Sequence, residues 1–222
     1  MTGDDQVTGT GAVPGPDQVT GTGAVPGPDR VPGPDRVPVA DLDRASVATA
    51  AGLLRPSCAS TRWIERLVSG RPYGTLPALV TESDATIAAL GWPDIEQALA
   101  AHPRIGDRPP SGDPADGRPA PGDAAGGRPG PEGGDRETTW SRQEQAGARN
   151  APADVQAGLR AGNAAYEERF GHVFLICATG RSAASMLAAL QARLGHDPAR
   201  EREVVRDELT KIVRLRLGKA FA

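Results

Sequence analysis

The sequence predicts an all-α fold, a single-domain multi-helix bundle with a disordered N-terminal tail and a disordered internal insert. Three observations carry that expectation. Apolar residues recur at three- and four-residue spacing through nearly every segment that has them. The 28 glycines and 21 prolines exceed ordinary usage and crowd into two blocks, which leaves the remaining segments free for helices. Only one apolar run, residues 173–178, is short and unbroken enough to suggest an extended segment.

Residues 1–40 form the first block. Residues 5–16 read DQVTGTGAVPGP, residues 17–28 repeat it unchanged, and two shorter copies begin at Asp29 and Asp35. A repeat this short has no apolar face to bury, so it cannot offset its ordering entropy. It reads as a disordered tail rather than a solenoid. The second block, residues 107–136, is Pro, Gly, Asp and Arg with almost nothing apolar, and reads as a disordered insert. About 150 residues remain, enough for one ordinary core. Residues 41–222 are therefore expected to form one helical domain, interrupted at 107–136.

Within that domain residues 45–54 are good helix formers. Ser57 is placed to cap the next helix, whose Trp63, Ile64, Leu67 and Val68 share one face. Gly70 ends it, and Arg71-Pro72-Tyr73 makes a stiff turn. Residues 76–90 read as a third helix with Leu79, Ile87 and Leu90 inward. Pro93 suits the first turn of a fourth, which carries Ile95 and Leu99 down to His102. Beyond the insert, Ser141 with Glu144 three positions on makes a capping box. A helix over 153–170 turns Val155, Leu159, Tyr166 and Phe170 toward the core, and Gly171-His172 ends it. The run 173–178 needs partners for its main chain if it is extended. Helices over 182–194 and 198–217 close the chain, and the turn Gly195-His196-Asp197-Pro198 between them leaves His196 at the surface.

Composition narrows the chemistry. A formal charge of −3 gives no nucleic-acid footprint and no polybasic membrane surface. No apolar run is long enough to cross a bilayer, and the N-terminus lacks the basic start and apolar core of a signal peptide. Cys58 and Cys177 have no CxxC or histidine-cluster spacing, so they read as reduced, small buried hydrophobes in a cytoplasmic protein. His and Cys are too scattered for a metal site, and no phosphate loop is present. The two lysines, Lys211 and Lys219, both sit in the last helix and are poor Schiff-base candidates. An enzyme built from this chain would work with side chains alone, with neither metal nor cofactor. The arginine- and alanine-rich, lysine-poor bias suggests a GC-rich bacterial genome.

Two stretches draw the remaining chemistry. In AHPRIG, residues 101–106, the ring of Pro103 disfavours the α region for His102 and so presents the imidazole at a helix terminus. With three histidines in the chain, acid–base candidates near neutral pH are few. The plain alternative is that His102 is a helix-end residue satisfying a carbonyl. At Ser141, the start of a helix offers N–H groups and a positive dipole end to an anionic or carbonyl-rich ligand, with Glu144 as a carboxylate in the same pocket. That reading and the capping box are not exclusive. His172 reads as a helix C-terminal residue rather than a catalyst.

HPRIG at 102–106, SRQEQAG at 141–147, FGHVFLICATGR at 170–181 and KIVRLRL at 211–217 follow one another in a recognisable order. Trp63, Arg71-Pro72-Tyr73, Asn163 and Tyr166 sit at matching places between them. Together they resemble the 2-oxo-4-hydroxy-4-carboxy-5-ureidoimidazoline (OHCU) decarboxylase family over about residues 41–106 and 137–217. The resemblance implies an all-helical, cofactor-independent enzyme, commonly a homodimer. Such an enzyme acts third in uric acid breakdown, after uricase and hydroxyisourate hydrolase, and converts OHCU to (S)-allantoin. It implies a catalytic histidine at His102 and a catalytic glutamate at Glu144. Substrate contacts fall on Pro103, Ser141, Arg142, Gln143, Gln145, Phe174, Leu175, Ile176, Cys177, Ala178 and Arg216. Two features depart from the family pattern: the long Pro/Gly tract after the histidine motif, and Gly162, where a leucine is expected and where glycine costs the helix about 1 kcal/mol. A helical ligand-binding protein without turnover, or a scaffold recruiting partners through its repeats, are the readings from other classes.

Overall fold

Where each helix can cover its apolar face decides where it goes. The computed structural model describes residues 36–105, 140 and 151–222, which all lie in one unit, Pro32–Ala222. The repeats before residue 36, the insert at 107–136 and Ser141–Gln145 lie outside the described residues. Among the described residues there are eight helices: α1 Val39–Arg44, α2 Val47–Leu54, α3 Thr61–Ser69, α4 Leu76–Ala89, α5 Trp92–Leu99, α6 Ala153–Phe170, α7 Ala183–Arg193 and α8 Pro198–Ala220. The all-α class stands, and the described residues hold one isolated bridge besides the helices.

Most elements form where local sequence puts them. Ser46, Thr75, Ser182 and Asp197 each accept a main-chain N–H of the helix they precede, which satisfies donors that have no partner inside the helix. Pro93 sits in the first turn of α5, and Gly171 closes α6 at φ 76°, a conformation that costs glycine little. Trp63, Ile64 and Leu67 of α3 are buried as their spacing requires, and Trp63 donates from its indole N–H to Ser83 Oγ of α4 at 3.1 Å.

Two local details depart from expectation. Ser60, not Ser57, caps α3, accepting from Trp63 N at 3.3 Å. Ser57 is fully buried instead. Helix α1 begins at Val39, ahead of the boundary expected at residue 41, because Val39 and Leu42 find cover in the core. Val37 precedes it in a parallel bridge with Phe221, donating to Ala220 O at 2.8 Å and accepting from Ala222 N at 3.0 Å. Gly162 lies where α6 packs against α7. A Cβ there would lie 2.5 Å from Leu190 Cδ2, and one at Gly158 would lie 2.9 Å from Leu187 Cδ2. Both glycines let α6 and α7 approach closely.

Two apolar cores result. The first joins α1 to α5 with α8, around Trp63, Leu67, Leu79, Ile87, Leu99, Leu209, Val213 and Phe221. The second lies around α6 and α7, with Leu159, Tyr166, Met186 and Leu190. Each fully buried leucine of this kind contributes about 1.5–3 kcal/mol relative to an exposed one. Residues 173–178 form no helix and run along both cores. Leu175 packs into the first core with Val173 and Cys177 against it, whereas Phe174, Ile176 and Ala178 pack into the second. That alternation is what an extended chain produces.

Candidate active site

His102 closes α5. Its N–H donates to Leu99 O at 2.9 Å, and its ring Nδ1 is 2.9 Å from Ala98 O. A carbonyl only accepts, so the proton is on Nδ1 and the neutral ring carries its lone pair on Nε2. In the imidazolium both nitrogens donate, and the Ala98 bond persists. One hydrogen bond thus orients the ring in both protonation states. The ring is also largely enclosed, with His102 9 % exposed.

The turn after it is fastened to α6. Ile105 is buried in the second core, and its carbonyl accepts from Asn163 Nδ2 at 2.8 Å. Arg104 forks onto Glu167 with bonds of 2.6 and 2.7 Å. Those bonds hold the Glu167 carboxyl below its usual 4.5. Pro103 itself is exposed.

Segment 173–178 finds its main-chain partners among charged side chains. Cys177 N donates to Glu208 Oε2 of α8 at 2.7 Å, and Leu175 O accepts from Arg193 of α7 at 2.7 Å. Arg193 lies over the Phe174 ring, 4.6 Å from its centroid, and is paired with the fully buried Glu201. The Tyr166 hydroxyl donates to the same Glu201 oxygen. Burial, and then that bond, push the Tyr166 phenol far above its ordinary range. The other Glu201 oxygen accepts from His196 Nδ1 at 2.8 Å. His196 is therefore not a plain surface residue. Its turn is at the surface, but its ring is half-buried against a carboxylate.

His172 ends α6 as expected and stacks edge-on with Trp92 and Tyr166, its Nδ1 donating to Val173 O at 3.1 Å. It lines a cavity of about 210 Å³ with Glu96, Leu99, Ala100, Gly171 and Val173, so the end of α5 that leads to His102 adjoins the entry to segment 173–178. A larger open groove of about 510 Å³ between α3 and α4, lined by Arg62, Arg66 and Glu82 among others, contains none of the expected site residues. Arg216 projects from α8 into the protein, 1 % exposed, with Nη1 3.5 Å from Pro56 O.

Glu144 with Ser141, Arg142, Gln143 and Gln145 lies outside the described residues, although Trp140 just before them is half-buried against the first core. Sequence reasoning missed Arg193, Glu201 and Glu208. The signal existed: Glu201, Glu208 and Arg216 lie on the buried stripe of α8 with Val205, Leu209, Ile212 and Val213. Charges on an apolar face are costly unless they have fixed partners. Among the described residues no group of three or more His, Cys, Asp or Glu is placed to hold a metal, and no helix is long and apolar enough to cross a membrane.

The pattern that defines one protein family, described as OHCU decarboxylase, matches residues 43–218. The chain belongs to the OHCU decarboxylase family. Among curated OHCU decarboxylase relatives, the chain is 43 % identical over 75 residues to 2-oxo-4-hydroxy-4-carboxy-5-ureidoimidazoline decarboxylase of Amia calva, covering 34 % of this chain and 43 % of that protein. It is 28 % identical over 165 residues to the uric acid degradation bifunctional protein TTL of Arabidopsis thaliana, covering 74 % of this chain and 45 % of that protein. The chain thus spans less than half the length of either. Its fold is shared with a crystal structure of OHCU decarboxylase in the presence of (S)-allantoin, at a TM-score of 0.57 and 23 % identity over 76 % of this chain and 96 % of that one. It is also shared with (S)-allantoin synthase, at a TM-score of 0.55 and 18 % identity over 83 % and 54 % of the two chains.

Proposed function

We propose that this protein decarboxylates OHCU to (S)-allantoin in uric acid degradation. The observation that carries the reading is the His102 ring, enclosed on a proline-fixed turn and oriented by the bond between Nδ1 and Ala98 O. Family membership supports the choice of substrate.

In this reaction the bond between a ring carbon and its carboxylate breaks, and the electron pair passes into the ring's carbonyl and nitrogens. One proton is then added to the ring, so carbon dioxide leaves and a proton is consumed. The ring serves as its own electron sink, and the protein has to orient the carboxylate, stabilise the developing charge and deliver the proton to one face. His102 Nε2 is the proposed donor, an effect that typically contributes on the order of 10²–10⁴-fold. Glu144 is assigned the substrate's ring N–H or hydroxyl. Ser141, Arg142, Gln143, Gln145 and Pro103 are assigned further contacts, and Arg216 the carboxylate or ring oxygens in a two-bond fork. Phe174, Leu175, Ile176 and Ala178 bury their side chains in the two cores, so segment 174–178 is assigned main-chain contacts. We infer in addition a homodimer in a bacterial cytoplasm, a compartment in keeping with two cysteines, Cys58 and Cys177, that form no disulfide.

The test is to add purified protein to freshly made OHCU and follow optical rotation or circular dichroism. (S)-Allantoin forming faster than the racemic background is the expected result. Racemic product at the background rate overturns the proposal.

A further inference from the structure

We propose that Glu208 and Arg193 are positioning residues that hold the main chain of segment 174–178 at its working distance from Arg216. The proposal rests on the decarboxylase reading for the role of that segment, but its physical basis is separate. Segment 173–178 belongs to no helix or strand, and its residues are largely buried. A buried main-chain N–H or C=O left without a partner costs about 1–3 kcal/mol. The chain meets this need with two ionic groups, each 6 % exposed and each from a different helix.

Glu208 Oε2 takes Cys177 N–H at 2.7 Å, and its other oxygen takes Lys211 Nζ at 2.7 Å. Arg193 donates from Nη1 to Leu175 O at 2.7 Å and from Nε to Glu201, which fixes its guanidinium. Charge-assisted bonds of this kind are shorter and stiffer than neutral ones. Burying the ions is expensive, and an apolar contact would have covered the same space more cheaply. What the ions add is a fixed position. Glu208 and Arg216 lie on one buried face of α8, eight residues and roughly 12 Å apart. Segment 174–178 is thereby referenced to the helix that carries the substrate arginine.

The experiment compares wild type, Glu208→Ala, Glu208→Gln and Glu208→Asp as full-length protein. It reads steady-state kinetics on OHCU and amide hydrogen exchange across residues 173–178. Loss of binding geometry alone raises KM with little change in kcat. Glu208→Ala is expected to raise KM about tenfold with kcat within about threefold of wild type. Glu208→Gln, which keeps an acceptor oxygen in place, should return KM to within about threefold. Exchange at Cys177 should quicken in Glu208→Ala and not in Glu208→Gln, with α4 unchanged. An unaltered KM in Glu208→Ala, or unaltered exchange at Cys177, overturns the proposal. Should Glu208→Ala not fold, Glu208→Asp decides, because its shorter side chain withdraws the oxygen and should raise KM likewise. If wild type has no decarboxylase activity, the functional reading fails. The exchange measurement then still judges the clamp, and an unprotected Cys177 amide in wild type overturns it.

Discussion

Ala98 O lies 2.9 Å from His102 Nδ1, one turn back along the end of α5, and it accepts the ring's only proton in the neutral state. The helix terminus supplies that carbonyl without any long-range partner, since the last carbonyls of a helix lack intrahelical donors. The plain reading of His102, a helix-end residue satisfying a carbonyl, therefore holds for Nδ1, and that bond fixes how the ring is presented.

His102→Asn should separate the two. Its side-chain amide can reproduce the Nδ1–H bond to Ala98 but has nothing at the Nε2 position. Turnover is expected to fall by roughly 10²–10⁴-fold while the denaturant midpoint stays near wild type. If Glu144 works with His102 as one unit, the double variant with Glu144→Gln should be little worse than either single one. Full activity in folded His102→Asn would sink the mechanism.

Arg216→Lys tests the carboxylate fork. An ammonium supplies a point charge but cannot match two parallel N–H bonds. A loss of about 2–4 kcal/mol of transition-state binding is expected, or roughly 30- to 1,000-fold in kcat/KM. Near-normal kcat/KM in this variant would assign Arg216, 1 % exposed, to the core alone.

Arg104 and Glu167 make the turn sensitive to acid. The Glu167 carboxyl is held below 4.5 in the folded protein, chiefly by its bonds to Arg104. The unfolded chain therefore takes up the proton first as pH falls. The pair's stabilisation is complete above about pH 5 and disappears as pH falls through the lowered value. Arg104 is half-exposed, so the effect is small, as for most surface pairs. Thermal melts should show wild type above Glu167→Gln at about pH 7, with the gap narrowing as pH falls below about 5. A gap independent of pH would mean that the fork contributes shape and not charge.

Two glycine replacements should change stability in opposite directions. Gly52→Ala in α2 meets nothing within 4 Å and should gain about 0.5–1 kcal/mol from helix propensity. Gly162→Ala gains the same but drives a Cβ to 2.5 Å from Leu190 Cδ2, a side chain that is itself fully buried. Overpacking of that kind costs about 1–3 kcal/mol, so a net loss is expected. Urea midpoints of the two variants decide it, and a stabilised Gly162→Ala would show that α7 gives way freely.

The sequence by itself determined the helices. The 18-residue run of α6, the proline in the first turn of α5 and the inward faces of α3 and α4 depend on residues within a turn or two of one another. Spacing, capping and glycine conformation act at that range, and they are readable in order along the chain. The ordered motifs around His102 and Phe174 carried the family for the same reason. Tertiary structure alone decided what each polar group would meet. Ser57 lost its expected cap to Ser60, and His196 gained Glu201. Gly162 proved to be a place of close helix approach, and residues 173–178 received Glu208 and Arg193 as main-chain partners. The partners of Leu175 and Cys177 come from 18 and 31 residues away. No local period records such pairings, because they exist only once two helices have buried their faces and left a main-chain group with nowhere else to turn.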